Sequence, residues 1–376
     1  MASIGISADS HIIEPPEVFA GLQERFGDRA PRIVHEEGRG DFVFTPATGE
    51  QLGSALGGVG RLGIAGRSLD DPETDRVIRL GYAGLRPGIA DPIARLKDQD
   101  LDGVAGEVLY PSLFMRFSAN PDTEVLVSAI HNYNDWLHGY CSEAPDRLVG
   151  LALIPMQDPQ AAELELERVI AMGYRGGAIP CSAPGHHRYH DPIYDGVWAR
   201  AEEAHFPLSM HIFTQAHGAL TGLEGADLFA AYASAPTMIQ FTLSDLICHG
   251  VAHRFPGLRF VCAEFNTGWI ANWLERLDHS LYRSRAAAPD YLDLKPSEYW
   301  RRQFHATFED DREGVLTRDA IGAGTLLWGN DFPHHDAVWP NSRKVLDEVF
   351  DGVPDEVRRR MTVETVAGLY GLDIPS

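Results

Sequence analysis

A TIM-type (β/α)8 barrel, an α/β fold, is what this sequence predicts, and three observations predict it. Eight short apolar runs, each closing on a polar residue, recur along the chain, and stretches with three- and four-residue apolar spacing lie between most of them. No G-x-G-x-x-G follows the first run, which counts against the main alternative, an open doubly wound sheet. Strands that alternate with helices pair in parallel with both faces covered, and eight such units close the sheet on itself.

The runs in order are IGISAD (4–9), VAGEVLYP (104–111), LVGLALIP (148–155), YRGGAIP (174–180), FPLSMHI (206–212), LRFVCAEF (258–265), QFHATFED (303–310) and TLLWGNDF (325–332). The segment PDTEVLVSAIHNYNDWLHGYCSEAPDR has an acidic first turn, helical apolar spacing and a proline stop. QAAELELERVIAMGYRGG ends its helix on Gly173, a residue suited to a left-handed C′ position. The tail MTVETVAGLYGLDI reads as a closing helix, so residues 1–376 are expected to form one barrel domain. One connection is unusual. Residues 14–90 separate the first two strands, with GRGDFVFTPATGEQL reading as a hairpin and GSALGGVGRLGIAGRS as a glycine-rich loop. Leaving from the catalytic face of a barrel, this insert is expected to act as a lid.

The chain has 54 acidic residues against 32 Lys and Arg, a formal charge of −22, which argues against nucleic acid or an anionic membrane as partner. A small-molecule substrate is the partner expected. No apolar stretch nears the roughly 20 residues of a membrane span, and the start MASIGISADSH lacks a basic region followed by an apolar one, so a cytoplasmic enzyme is expected. Cys141, Cys181, Cys248 and Cys262 form no C-x-x-C pair, so neither a zinc ribbon nor a disulfide framework is indicated.

In a barrel, polar residues at the C-terminal ends of the strands project into one mouth, where catalysis occurs. Asp9 and His11 end strand one, His211 strand five, Glu264 strand six and Asp331 strand eight. Imidazoles and carboxylates brought together there would repel and lose hydration unless a cation offset both. These five residues are therefore the candidate metal ligands, and Glu14, three residues beyond His11, is a sixth, with a role outside the ligand set equally open. Asp331, Glu264 and His334 are the candidate catalytic groups. His334 sits in NDFPHHDAVWP just after Asp331, while His335 is read as solvent-facing. Arg116, in YPSLFMRFSANP, is the candidate for gripping a substrate anion, and Phe213, Trp269 and Trp339 are candidate walls of an apolar pocket. Phe114, Phe308 and Trp328 are the other aromatic residues near the mouth, and Trp328 is read as core. His186, His187 and His217 lie in loops after strands four and five.

Together ADSHIIEPPEVF, HNYNDWL, PDRLVGLALIPMQDP, MGYRGGAIP, FPLSMH, HRFPGLRFVCAEFNTGWIANWLERLDH and GNDFPH resemble the amidohydrolase-related family. That family includes aminocarboxymuconate-semialdehyde decarboxylase, resorcylate-type decarboxylases and metal-dependent hydrolases. The resemblance implies a metal-binding barrel whose ligands fall on Asp9, His11, His211 and Asp331, and barrels of this kind often form a homodimer or higher homo-oligomer. Two departures stand out. Asp9 takes the place of the first His of an H-x-H pair, and AEFN, with Glu264, stands where many members carry a His after strand six. Oxygen thus replaces nitrogen twice, which shifts the expected cofactor from zinc toward manganese or iron, as one or two ions. The strand-four segment GGAIPCS holds no lysine to bridge a metal pair.

Three reactions fit these residues. Foremost is hydrolysis of an amide, ester or lactone, with a metal-activated water deprotonated by Asp331 or Glu264. Next is oxygenation by a diiron centre, since the carboxylate-rich set resembles a non-heme diiron monooxygenase branch on the same barrel, that of platensimycin biosynthesis. Third is non-oxidative decarboxylation of an aromatic or semialdehyde acid. A binding protein on a degenerate barrel would be expected to lack a strand-end ligand, and none is absent.

Overall fold

The computed structural model describes residues 3–52, 58–118, 120–214 and 225–374. The chain opens with β1 (Gly5–His11), buried along its whole length as a strand covered on both faces must be. An antiparallel sheet of β2 (Arg32–Glu36), β3 (Gly40–Thr45) and β4 (Glu50–Leu52) follows, so the expected hairpin forms and gains a third strand. The barrel resumes with β5 (Val104–Tyr110), β6 (Leu148–Gly150), β7 (Ala152–Leu153) and β8 (Gly177–Pro180). It ends with β9 (Leu208–His211), β10 (Phe260–Ala263), β11 (Phe304–Phe308) and β12 (Leu326–Trp328).

Parallel pairing runs from β1 to β5 to β6 and from β7 through β8, β9, β10 and β11 to β12. The two sheets are one. The Leu151 amide donates to Leu109 and the Ala152 amide to Gly176, so β6 and β7 form a single stave with a neighbour on each side. At the seam, the amides of Asn330 and Asp331 donate to the Asp9 carbonyl at 3.2 and 2.9 Å, joining the last stave to the first. All eight predicted strands are present, and the α/β barrel is closed.

The helices start and stop where the sequence says. Asp91 caps Pro92–Asp102 and Asp158 caps Pro159–Met172, each accepting two backbone amides ahead of a proline at the first helical position. Gly173 ends the second of these at φ 94°, the left-handed C-terminal position expected of it. Within the core, buried Arg95 bridges elements: its Nε donates to Glu107 of β5 at 2.7 Å and one Nη to the His11 carbonyl at 2.8 Å. The insert packs beside the mouth, with the Ala65 amide on the Pro333 carbonyl at 3.0 Å and the Tyr82 hydroxyl on the Glu14 carbonyl at 3.0 Å. Among the described residues, no helix is long and apolar enough to cross a membrane.

Candidate metal centre

Buried donors gather at the C-terminal ends of the barrel strands in two groups that share His11: one atom each of Asp9, His11 and His211 lie within 4.8 Å of one another, and so do one atom each of His11, Glu264, Asp331 and His334. His11 Nδ1 donates to the Pro111 carbonyl at 2.8 Å and His211 Nδ1 to the Ile212 carbonyl at 2.9 Å. A carbonyl only accepts, so both rings carry a proton on Nδ1 and turn Nε2 inward. Asp9 Oδ2 accepts from the Thr307 hydroxyl at 2.8 Å, which leaves Oδ1 free. Asp331 Oδ1 accepts from His334 Nδ1 at 2.9 Å, which leaves Oδ2. Asp9 Oδ1, His11 Nε2, His211 Nε2 and Asp331 Oδ2 are buried without a hydrogen-bond partner.

Asp9 Oδ1 lies 3.5 Å from Nε2 of both histidines, and Asp331 Oδ1 lies 3.2 Å from His11 Nε2. Burying polar atoms unpaired costs about 1–3 kcal/mol each, and these orphans fall in two donor groups that share His11, Asp9 with His211 on one side and Asp331 with Glu264 and His334 on the other, each able to hold an ion. Two imidazole nitrogens and two carboxylate oxygens make a mixed donor set that suits manganese, iron or zinc. The electrostatics agree. Burial opposes a charge on His11, yet Asp331 and Asp9 outweigh it and push the imidazole pKa up to about 10, so a proton takes the cation's place. Burial likewise opposes the charge on Asp331, but His334 and His11 hold its carboxyl well below the usual range.

Backbone geometry marks the same positions. Glu264 and Asp331 adopt left-handed φ of 60° and 52° just beyond β10 and β12, a conformation that costs a non-glycine residue about 1–2 kcal/mol. Gly329 lets β12 run against β1, since a Cβ there would collide with that of Asp9. The glycine in GNDF therefore permits the approach that brings Asp331 to Asp9.

Glu264 reaches the cluster from β10, its Oε2 3.2 Å from His211 Nε2. Burial first, then Asp331 and Asp9, raise its carboxyl well above the ordinary range. His334 packs against His11 with ring centroids 4.1 Å apart and planes tilted by 32°, and its nitrogens are engaged by Asp331 and by the Ser112 hydroxyl at 2.9 Å. It orients Asp331. Phe213 sits after β9 at φ 66°, stacked on Tyr232 with centroids 6.1 Å apart.

Four sequence candidates are placed otherwise. Glu14 is turned away from the cluster: its carboxylate accepts the amides of Ser112, Leu113 and Phe114 at 3.1, 2.8 and 2.9 Å, so both oxygens are taken. Arg116 reaches Glu50 of β4, at 3.7 Å, and so is tied to the insert. Trp339 is buried, with its indole N–H on the Asp98 carbonyl at 3.1 Å, Arg86 over its face and Phe332 beside it. Trp269 donates its N–H to the carbonyls of Phe265 and Asn266 and packs on Trp273. Both tryptophans are packing residues. Phe114, Phe308 and Trp328 are core as well, and His217 lies outside the described residues.

Sequence reasoning missed three groups here. Glu309 follows β11, and burial, then Asp331 and Glu264, drive its carboxyl far above the usual range. The run QFHATFED shows the same polar ending as the other strands and contained the signal. The Tyr232 hydroxyl lies 3.2 Å from Glu264 Oε1 and 3.0 Å from Asp336 Oδ2; it comes from a helix, Gly225–Ser234, with no strand-end pattern to betray it. Thr307 supports two neighbours at once, accepting from the Glu264 amide while donating to Asp9.

Beside His211 lies an apolar cavity of about 10 Å³, lined by Tyr110, Met115, Ile130, Leu153 and Ile179 among others. That is room for one water-sized group.

Comparison with known proteins adds the following. The family model described as Amidohydrolase (Amidohydro_2) matches residues 86–372. The gamma-resorcylate decarboxylase of Rhodococcus jostii (strain RHA1) is 27% identical over 252 residues, covering 61% of this chain and 74% of that protein. A crystal structure of an amidohydrolase from Mycobacterium avium subsp. paratuberculosis K-10 superposes with a TM-score of 0.82 at 18% identity, over 99% of both chains. The 5-carboxyvanillate decarboxylase of Novosphingobium aromaticivorans DSM 12444, complexed with manganese and 4-hydroxy-3-methoxy-5-nitrobenzoic acid, superposes with a TM-score of 0.68 at 16% identity, over 98% of this chain and 96% of that one.

Proposed function

The chain belongs to the amidohydrolase family, and we propose that within it this protein is a metal-dependent carboxy-lyase that decarboxylates a small hydroxylated aromatic acid. The metal dependence is carried by one observation, the four buried donor atoms without partners on Asp9, His11, His211 and Asp331. The reaction class is supported by relatives named as decarboxylases, one of them holding manganese beside a nitrobenzoic acid. These relatives weigh for decarboxylation over the hydrolysis that the residues alone put first.

Asp9, His11, His211 and Asp331 would hold one divalent ion, manganese being among those that a mixed oxygen and nitrogen set suits. When bound, that ion supplies a Lewis acid able to grip a carboxylate and a neighbouring phenolic oxygen. Decarboxylation breaks the bond between ring and carboxylate, leaves its electron pair on the ring carbon as CO2 departs, and requires a proton at that carbon. Glu264 supplies it. Burial is the largest cause of its raised pKa, and burial persists when a cation offsets the charges of Asp9 and Asp331. Tyr232 orients the Glu264 carboxyl through Oε1.

The experiment is CO2 release from a set of ortho-hydroxylated benzoic acids by manganese-loaded enzyme, alongside hydrolysis assays on lactones, esters and amides. Release of CO2 that stops on chelation and in Glu264→Gln, with the bound manganese retained in that variant, supports the reading. Hydrolysis of a lactone or amide with no CO2 from any acid sinks it.

A further inference from the structure

A second group of donors lies outside the central cluster. His190 comes from the loop after β8, while Asp245 and His249 stand one turn apart at the end of the helix Pro236–Cys248, on one face of it. The Asp245 side chain is only 6% exposed, yet a single oxygen, Oδ1, meets His190 Nδ1 at 2.7 Å, His249 Nδ1 at 3.0 Å and the Arg188 guanidinium. The two imidazoles lie face to face, centroids 4.0 Å apart and planes within 9°. Two parallel rings aiming N–H groups at one oxygen set their dipoles side by side, which is repulsive, whereas a cation between their nitrogens and that oxygen attracts all three.

The geometry is close to a metal site already. One donor atom from each of the three residues lies within 4.8 Å of the others. Behind His190, Asp191 Oδ1 approaches Nε2 to 3.7 Å, where an outer carboxylate orients a ligating imidazole. Arg188 now balances the Asp245 charge; its side chain is 58% exposed and long, so it is free to swing into solvent when a cation takes that role. None of these residues is a strand-end donor of the central site.

We infer that His190, Asp245 and His249 form a separate binding site for a borderline transition-metal dication, zinc above all, which ties the loop after β8 to the helix Pro236–Cys248. Two imidazole nitrogens and one carboxylate oxygen are a zinc donor set with a fourth position left for water. The site would fasten the outer wall of the barrel and take no part in turnover.

The test is a Zn2+ titration against a chromophoric chelator, run on the manganese-loaded wild-type enzyme and on His249→Ala, Asp245→Asn and His211→Ala. Wild type should bind one zinc more than either outer variant, with affinity at this site falling at least about 100-fold in both. His211→Ala should lose central metal and keep the outer zinc. Added zinc should raise the melting temperature of the wild type but not of His249→Ala, whose turnover stays unchanged. His249 is half-exposed, so that variant reports even if Asp245→Asn fails to fold. Equal zinc counts and equal affinities in wild type and His249→Ala overturn the inference.

Discussion

At the scale of single residues, the proposed metal-holding groups differ from the groups that aim them. Asp331→Asn or His211→Ala removes a donor and should abolish tight binding of the central ion, as elemental analysis of manganese after desalting would show. Thr307→Val keeps every donor but strips the hydrogen bond from Asp9 Oδ2, and metal affinity should fall about 10- to 100-fold; an unchanged affinity would remove Thr307 from the account. Glu14→Gln reads the opposite way. It weakens the anchor on three amides and should lower stability by about 1–3 kcal/mol while the metal count is retained. That contrast shows where the sequence stopped being legible. Asp9, His11, His211 and Asp331 could be found because strand-end position dictates direction, whereas Glu14 lies past β1, where spacing alone does not say which way a side chain turns. For Trp269 and Trp339 the sequence could not choose, since an aromatic near the mouth in sequence can be packing residue or pocket wall.

Elements bring these residues together, and their joints are polar. Arg95 ties β5 to the end of β1 inside the core, so Arg95→Met would leave Glu107 a buried, unpaired charge. Such losses cost about 3–5 kcal/mol, and urea denaturation should show a drop of that size; a change below about 1 kcal/mol would mean the pair carries little. All eight strands could be read from apolar runs, because a strand buried on both faces allows few polar residues before its end. The closure at Gly329 and the left-handed turns at Glu264 and Asp331 could not, because they arise from contact between strands far apart in the chain. Glu309 was legible but unused, and Tyr232 was not legible at all, since nothing local relates its helix to β10.

For the whole molecule, the metal and the proton compete for one place. In metal-free protein the His11 pKa stands near 10, raised from 6.5 by Asp331 and Asp9 against the pull of burial. Folding stability from this group is therefore full below about pH 6.5 and lost as pH rises toward 10. Thermal melts of chelated protein should fall across that window, while manganese-loaded protein, with no proton on Nε2 to lose, should stay flat; parallel curves would contradict a site shared by ion and proton. The decarboxylases among the relatives make CO2 release the reaction to measure. Its most direct measurement is proton NMR of manganese-loaded enzyme turning over an ortho-hydroxylated benzoic acid in D2O. The expected product is a decarboxylated arene carrying one deuterium at the carbon that bore the carboxylate, formed by wild type and not by Asp331→Asn. An acid recovered intact, with a lactone or amide cleaved by the same preparation, would contradict it.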